Sequence, residues 1–490
     1  MTGTRFCVMP EAAVTRRFLF LILATTTALG ALALSAARAR DVPKVATGFV
    51  ANILCSQTFV SGLDPDRIFR ETTAAMPGTG LISWALDYRV DHGRRDVTVT
   101  LLGLGRSHAV YREGFGCYLD HGNTPAPLSL PSIEAKPVQA LLPEIAGVAL
   151  VVPENLQLGA ALDRAFAEPE KPPLRRTKAV VVVKEGRVVA ERYAEGYGIE
   201  TPMLGFSATK SVMSALTGIL VAKGLLAIDA PAPVAAWQSP GDPRRAITVD
   251  HLLRHTAGLA LGNSLSASLG AVLEPVNRMK FLESDMAAYA ESIGLESSPG
   301  SRWNYHDGNT IILSHLIRSA AGGHASDVLR LARQELFGPL GMGRVTLEFD
   351  AAGTPEGSSQ MLASARDWAR FGLLYLDDGV VGGKRILPEG WVKYSASPTP
   401  NAWVGYGAGF WTNLGDSFGA TYRIEHGWPR DAFFAKGTIG QYVIIIPSER
   451  LVIVRLGTSP NWPPEADGVF QLVGDVVAAT AGKGRVAAGN

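Results

Sequence analysis

Apolar residues run almost unbroken through Lys178-Ala179-Val180-Val181-Val182-Val183, stop at a Lys-Glu-Gly turn, and resume through Arg187-Val188-Val189-Ala190-Glu191-Arg192-Tyr193. That pattern predicts a β-hairpin. A matching pair, Gln441-Tyr442-Val443-Ile444-Ile445-Ile446-Pro447 and Leu451-Val452-Ile453-Val454-Arg455-Leu456, predicts a second hairpin near the end of the chain. Between them apolar positions recur at helical spacing, as over 211–226, and a last helix is expected from about Gly468 to Ala481. Strands at both ends with helices between imply an α+β (α/β) fold, one antiparallel sheet flanked by helices with an inserted all-helical region. Upstream, 41–165 carries short β-like runs such as Asp96-Val97-Thr98-Val99-Thr100-Leu101-Leu102, broken by Gly and Pro, which predict a small mixed or β-rich domain of no legible role. The charged, proline-rich stretch Phe166-Ala167-Glu168-Pro169-Glu170-Lys171-Pro172-Pro173 reads as the edge between it and a second domain over 166–490.

The first 40 residues follow another pattern. Arg16-Arg17 precede an apolar run from Phe18 to Leu34, and Ala37-Arg38-Ala39 offers a small-x-small cleavage site. Residues 1–40 are therefore expected to be a signal peptide and the protein periplasmic or secreted, by the Sec or the twin-arginine route; the alternative is an uncleaved anchor. Cys7 would leave with the signal, so Cys55 and Cys117 remain in an oxidising compartment, where a disulfide between them is expected rather than two buried thiols.

Composition narrows the partners. With 47% hydrophobic residues, 19% charged and a formal net charge of +1 over 490 residues, the chain can bury large cores and has no electrostatic reason to bind nucleic acid. A small-molecule substrate is expected, with cell-envelope association open to an exported protein. No metal is implied, for the chain has no His-Glu-x-x-His and no paired-Cys cluster, and no cofactor, for it has no Gly-Lys-Ser/Thr phosphate loop.

Candidate chemistry begins at Phe206-Ser207-Ala208-Thr209-Lys210-Ser211. Ser207 and Lys210 are three apart at the start of a predicted helix, so their side chains share one face of its first turn. A serine hydroxyl needs a base, and a helix N-terminus favours a developing alkoxide over an ammonium. Taken alone, the pair reads equally as a helix cap and a solvated lysine. A Gly-x-Ser-x-Gly elbow is excluded because Thr209 stands where its glycine belongs.

Three further stretches join it. Ile247-Thr248-Val249-Asp250-His251-Leu252-Leu253-Arg254-His255-Thr256-Ala257-Gly258-Leu259, Pro299-Gly300-Ser301-Arg302-Trp303-Asn304-Tyr305-His306-Asp307-Gly308-Asn309 and Ala435-Lys436-Gly437-Thr438-Ile439-Gly440-Gln441 follow in that order. Together the four resemble the penicillin-recognising serine hydrolases: class C β-lactamases, D-alanyl-D-alanine carboxypeptidases, and especially the esterase-like and 6-aminohexanoate-dimer hydrolase branch. The resemblance spans about 175 to 480 and implies a β-lactamase/transpeptidase-like fold. It implies that Ser207 is the acylated nucleophile, Lys210 its general base and Tyr305 a proton relay, with the backbone N–H groups of Ser207 and Thr438 as oxyanion hole. Gly437, Lys436 and Asp307 would border the substrate. Asp307 replaces the family's usual asparagine, and Ala435 stands where its Lys-Thr-Gly strand has lysine, with Lys436 shifted by one and expected on the opposite strand face. These departures favour small esters or amides over β-lactams. The alternatives are a penicillin-binding receptor and a carboxypeptidase acting on peptidoglycan peptides. His255 is expected to anchor a buried turn and His426 to be structural or at the cleft rim. Trp403, Trp411 and Trp428 are expected in the core or walling an acyl pocket.

Overall fold

The computed structural model describes residues 41–76, 78–122, 138–265 and 272–481. The expected signal segment 1–40 lies outside the described residues.

The upstream unit is mixed. A helix over 41–59 is followed by Pro65–Ala75, whose start is fixed by Asp64, a cap accepting from the N–H groups of Asp66 and Arg67, and by proline in the first turn. Four antiparallel strands then pair in chain order: Leu86–Asp91, Asp96–Leu101, Leu104–Arg112 and Gly116–Leu119. Val97, Val99, Ala109 and Cys117 form a core with Val50, Ile53 and Leu54 of the first helix. Cys55 and Cys117 are bonded across it, with Cα atoms 6.0 Å apart.

The second unit is built on six antiparallel strands in the spatial order Trp411–Thr412, Phe433–Gly437, Gln441–Ile446, Leu451–Gly457, Thr177–Lys184, Arg187–Tyr193. Chain start and chain end meet where Val452, Ile453 and Val454 pair with Val183, Val182 and Val181. Both faces are covered, which explains apolar runs without alternation. Val181, Val183, Val443, Ile445, Val452 and Val454 face the layer holding helices Thr209–Ala222 and Ala365–Leu376. Val180, Val182, Ile444, Ile446 and Ile453 face helices Leu156–Phe166 and Val469–Thr480.

Two boundaries differ from expectation. Helix Leu156–Phe166 precedes the proline-rich stretch yet packs with the sheet, held by Asn155 Nδ2 donating to the Ala479 carbonyl at 2.8 Å and by Arg164 on Asp475 at 2.8 Å. The helix expected over 211–226 runs Thr209–Ala222 and stops at Lys223, because Gly224 adopts φ 69°, a left-handed terminus.

The two units share a core. Leu204, Phe206, Leu362 and Ile439 from the second cluster with Val50, Leu54, Leu86 and Val99 from the first. Phe206 is the residue immediately before Ser207.

Candidate active site

Ser207 sits in a single 3₁₀ turn, Phe206–Ala208, that runs straight into helix Thr209–Ala222. Phe206 takes φ 47°, a sparsely populated conformation for a bulky residue that is sustained by its packing between the two units. The helix is seated by Ser211 Oγ donating to the Gly409 carbonyl at 2.6 Å and Ser214 Oγ to the Ala408 carbonyl at 3.0 Å. The end of strand Phe433–Gly437 closes on the turn from the other side. A Cβ on Gly437 would lie 2.0 Å from the Gly205 carbonyl oxygen, so this contact demands glycine.

Lys210 Nζ lies 3.2 Å from Ser207 Oγ, 2.6 Å from Asp307 Oδ1 and 2.8 Å from the Ser358 carbonyl. The carboxylate and the carbonyl can hold two N–H bonds, and the third direction faces the serine hydroxyl. Asp307 opens helix Asp307–Ala321, and its second oxygen is 3.1 Å from Lys280 Nζ. Lys280 continues to Glu356 Oε1 at 3.4 Å and Ser359 Oγ at 2.8 Å. Burial alone would push Asp307 up, but Lys210 and Lys280 outweigh it and hold the carboxyl well below the usual range. Lys280, in turn, is pushed up, its desolvation outweighed by Asp307 and Glu356. Asp307, expected beside the substrate, thus has both oxygens engaged by lysine.

Tyr305 is buried in an aromatic cage, its ring centroid 4.5 Å from His255, 5.5 Å from Tyr406 and 6.0 Å from Trp411, with Lys210 Nζ 5.0 Å from the ring centroid. His255 ends helix Val249–Arg254 at φ 60° and its carbonyl accepts from Asn304 N at 2.9 Å. Its imidazole lies 3.3 Å from Asn309 Nδ2, and burial lowers its pKa strongly. The Gly300 N–H donates to the Thr256 carbonyl at 2.8 Å, so the second and third sequence segments are tied into one support behind Tyr305. His306 caps the Asp307 helix, its Nδ1 accepting from Asn309 N at 3.4 Å; burial brings its pKa down to about 4.

Beyond Gly437 the chain turns sharply, with Ile439 at φ 53° and Gly440 at φ 91°. Asn461 clasps this turn, its Nδ2 donating to Thr438 Oγ1 at 2.5 Å and its Oδ1 accepting from Ile439 N at 2.8 Å. Buried Arg455 donates to the Gly440 carbonyl at 2.7 Å from below. Ala435 is buried in the helix-facing cluster, and Lys436 lies on the other strand face between the rings of Trp411 and Tyr442, 5.2 and 5.3 Å from their centroids. Burial lowers the Lys436 pKa. Of the remaining aromatics, Trp411 joins the Tyr305 cage, Trp428 is core beside Phe434 and Phe470, and Trp403 and His426 are exposed.

The structure therefore gathers Ser207, Lys210, Tyr305 and Asp307 in one place, with Gly437 and Thr438 on the strand end that abuts the serine turn. Lys280, Glu356, Ser358 and Ser359 escaped sequence reading. Lys280 lies in a helix, Pro275–Leu282, beside buried Met279 and carries no motif; the one available signal was a carboxylate at Asp307 that needed a second cation.

Known proteins share this fold. The Beta-lactamase family model matches residues 162–478. Among solved structures, a protein of Bacillus anthracis assigned as a candidate 6-aminohexanoate-dimer hydrolase is 20% identical, with 70% of this chain and 89% of that chain covered and a TM-score of 0.54. A penicillin-binding protein homolog from Caulobacter crescentus is 18% identical over 68% of this chain and 100% of that one, with a TM-score of 0.51. A family VIII carboxylesterase is 17% identical over 69% and 100%, with a TM-score of 0.50. An uncharacterized protein of Alkalihalophilus pseudofirmus is 21% identical over 313 residues, 58% of this chain and 84% of that protein. These likenesses share the fold, and the family model covers well over half of the chain: the protein belongs to the β-lactamase family of hydrolases.

Proposed function

We propose that this is an exported, metal-independent serine hydrolase that cleaves small esters or amides through an acyl-enzyme on Ser207. The observation that carries it is Lys210, whose amine is held by Asp307 and the Ser358 carbonyl with its third direction on Ser207 Oγ at 3.2 Å. With its lone pair in that direction, Lys210 accepts the serine proton as Oγ attacks the substrate carbonyl. The oxyanion is received by backbone N–H groups of Ser207 and of the strand end at Thr438. Tyr305 passes the proton to the departing alcohol or amine; water then attacks the acyl carbonyl by the reverse proton path and frees Ser207. The buried Ala435 removes a cation from the strand that borders the serine, which supports neutral acyl groups over carboxylate-bearing β-lactams. The bond between Cys55 and Cys117 supports export, because such bonds persist in oxidising compartments.

The test is steady-state release of p-nitrophenol from short-chain esters by the chain without residues 1–40, beside Ser207→Ala and Tyr305→Phe. Multiple turnovers, abolished by the first change and strongly reduced by the second, are expected. One stoichiometric burst would replace the enzyme by an acylated receptor, and equal rates in all three proteins would remove Ser207 from the chemistry.

A further inference from the structure

Four charged side chains, Lys210, Asp307 and Glu356 buried and Lys280 largely so, alternate in sign across the site in the order Lys210, Asp307, Lys280 and Glu356, at successive separations of 2.6, 3.1 and 3.4 Å. Lys210 is 2% exposed, and Asp307 and Lys280 are each 11% exposed. Consecutive residues of one segment grip both lysines, the Ser358 carbonyl accepting from Lys210 at 2.8 Å and Ser359 Oγ from Lys280 at 2.8 Å. Ser359 Oγ also lies 2.8 Å from Glu356 Oε1, so the row ends in a bonded corner rather than in solvent.

We propose that Lys280 is a positioning residue for proton transfer at Ser207, acting through Asp307: it shares the carboxylate with Lys210 and so keeps that carboxylate from trapping the proton that Lys210 must exchange. The inference rests on the Ser207–Lys210 reading above. An aspartate facing Lys210 alone would make a closed ion pair in a water-poor site, where such attraction is strong. A second ammonium on the other oxygen divides that attraction and adds a repulsion against charge on Lys210. This accounts for a carboxylate at position 307 in a site that must still release a proton.

Other groups around the row do not compete. The rings of Tyr305 and His255 and the imidazole of His306 pack beside Lys210, and Tyr406 stands behind Tyr305. Burial keeps both imidazoles neutral near pH 7. On the far side of Lys280 the one carboxylate within ion-pair distance, among the described residues, is Glu356 besides Asp307; burial pushes Glu356 up while Lys280 opposes this.

The experiment is the pH profile of kcat/KM for ester hydrolysis by the full mature chain and by Lys280→Met, Lys280→Gln, Lys280→Arg and Lys280→Met/Asp307→Asn, with Ser207→Ala as control and thermal melts on each. Lys280→Met and Lys280→Gln are expected to move the acid limb to higher pH by about one unit or more, with kcat lowered below the limb and KM nearly unchanged. Lys280→Arg should bring the limb back toward its original position, and so should the double variant, because an amide at 307 holds no proton on Lys210. The glutamine variant keeps an uncharged N–H donor on the same helix position, so the comparison survives if the methionine variant fails to fold. A folded Lys280 variant with an unmoved acid limb and an inactive Ser207→Ala overturns the role of Lys280 and leaves the hydrolase reading standing. Full activity in Ser207→Ala overturns both.

Discussion

Replacing Glu348 by glutamine should leave the protein unharmed at mildly acidic pH and stabilise it at alkaline pH. Glu348 is buried where the two units meet, its Oε1 accepting from Cys117 N at 2.7 Å and its Oε2 lying 2.7 Å from Ser56 Oγ, on either side of the disulfide. Gly116, at φ 66°, permits this approach, since a Cβ there would fall 2.5 Å from the glutamate Cγ. Ser56 Oγ is also 3.0 Å from the Asn52 carbonyl and has one proton for two acceptors. Protonated Glu348 resolves the conflict by donating to Ser56, which then donates to Asn52. Desolvation, against the two hydrogen bonds that favour the anion, pushes the carboxyl up from 4.5 to about 8. Between those values the folded chain binds a proton that the unfolded chain has lost, so the contribution of Glu348 to stability is fully present below 4.5 and is lost as pH rises to about 8. His255 and His306, whose pKa values are lowered, act in the opposite sense below their ordinary 6.5, and Asp350, which burial raises to about 7, acts in the same sense; the difference between variant and parent cancels these groups and isolates Glu348 between pH 6.5 and 8. At 1.36 kcal/mol per pH unit, Glu348 should withdraw about 2 kcal/mol across that window. Glutamine reproduces the protonated form, donating from its amide to Ser56 and accepting from Cys117. Urea unfolding at pH 6.5 and 8 checks this: the glutamine variant should gain about 2 kcal/mol on the parent between the two. A constant difference, or a variant that loses ground at pH 8, refutes the argument.

Removing the Cys55–Cys117 bond by double serine substitution frees a loop of 62 residues in the unfolded chain and should cost about 4 kcal/mol, read from urea midpoints. Gly437→Val drives a side chain into the Gly205 carbonyl and displaces the turn carrying Ser207; kcat for ester hydrolysis should fall about 10²-fold or more, a larger loss than any change in melting temperature explains. Arg455→Met leaves the Gly440 carbonyl without its side-chain donor and the Arg175 carbonyl with Ser459 Oγ alone, and should cost about 2 kcal/mol or more in urea unfolding.

The hairpins were legible because a sheet covered on both faces writes itself as unbroken valine and isoleucine, and Ser207 with Lys210 because a spacing of three survives any embedding of the helix. The helix over 41–59 was hidden: Gly48 and the β-branched Val45, Thr47 and Val50 weaken its propensity, and its apolar side is defined by the sheet it meets rather than by its own period. The proline-rich stretch looked like a domain edge because it is polar and without apolar period. Composition could not tell that Leu156–Phe166, just before it, has its apolar side matched to a helix near the end of the chain.

Asp307 marks where sequence reading ran out and physical chemistry continues. Seen along the chain, it is a carboxylate where the resemblance implies an amide, which suggests a change in what the substrate meets. In space its two oxygens are spent on Lys210 and Lys280, which is 27 residues away in sequence and on a separate helix. A buried carboxylate introduced beside one lysine would lock that lysine as an ammonium, and a second buried lysine introduced alone would be an unpaired charge. Each substitution is costly by itself and tolerable with the other, so the two positions are coupled in the sense that a double-mutant cycle measures. Changing both together should do less harm to folding and to the acid limb of activity than changing Lys280 alone, which a purely structural ion pair would match in stability but not in pH dependence.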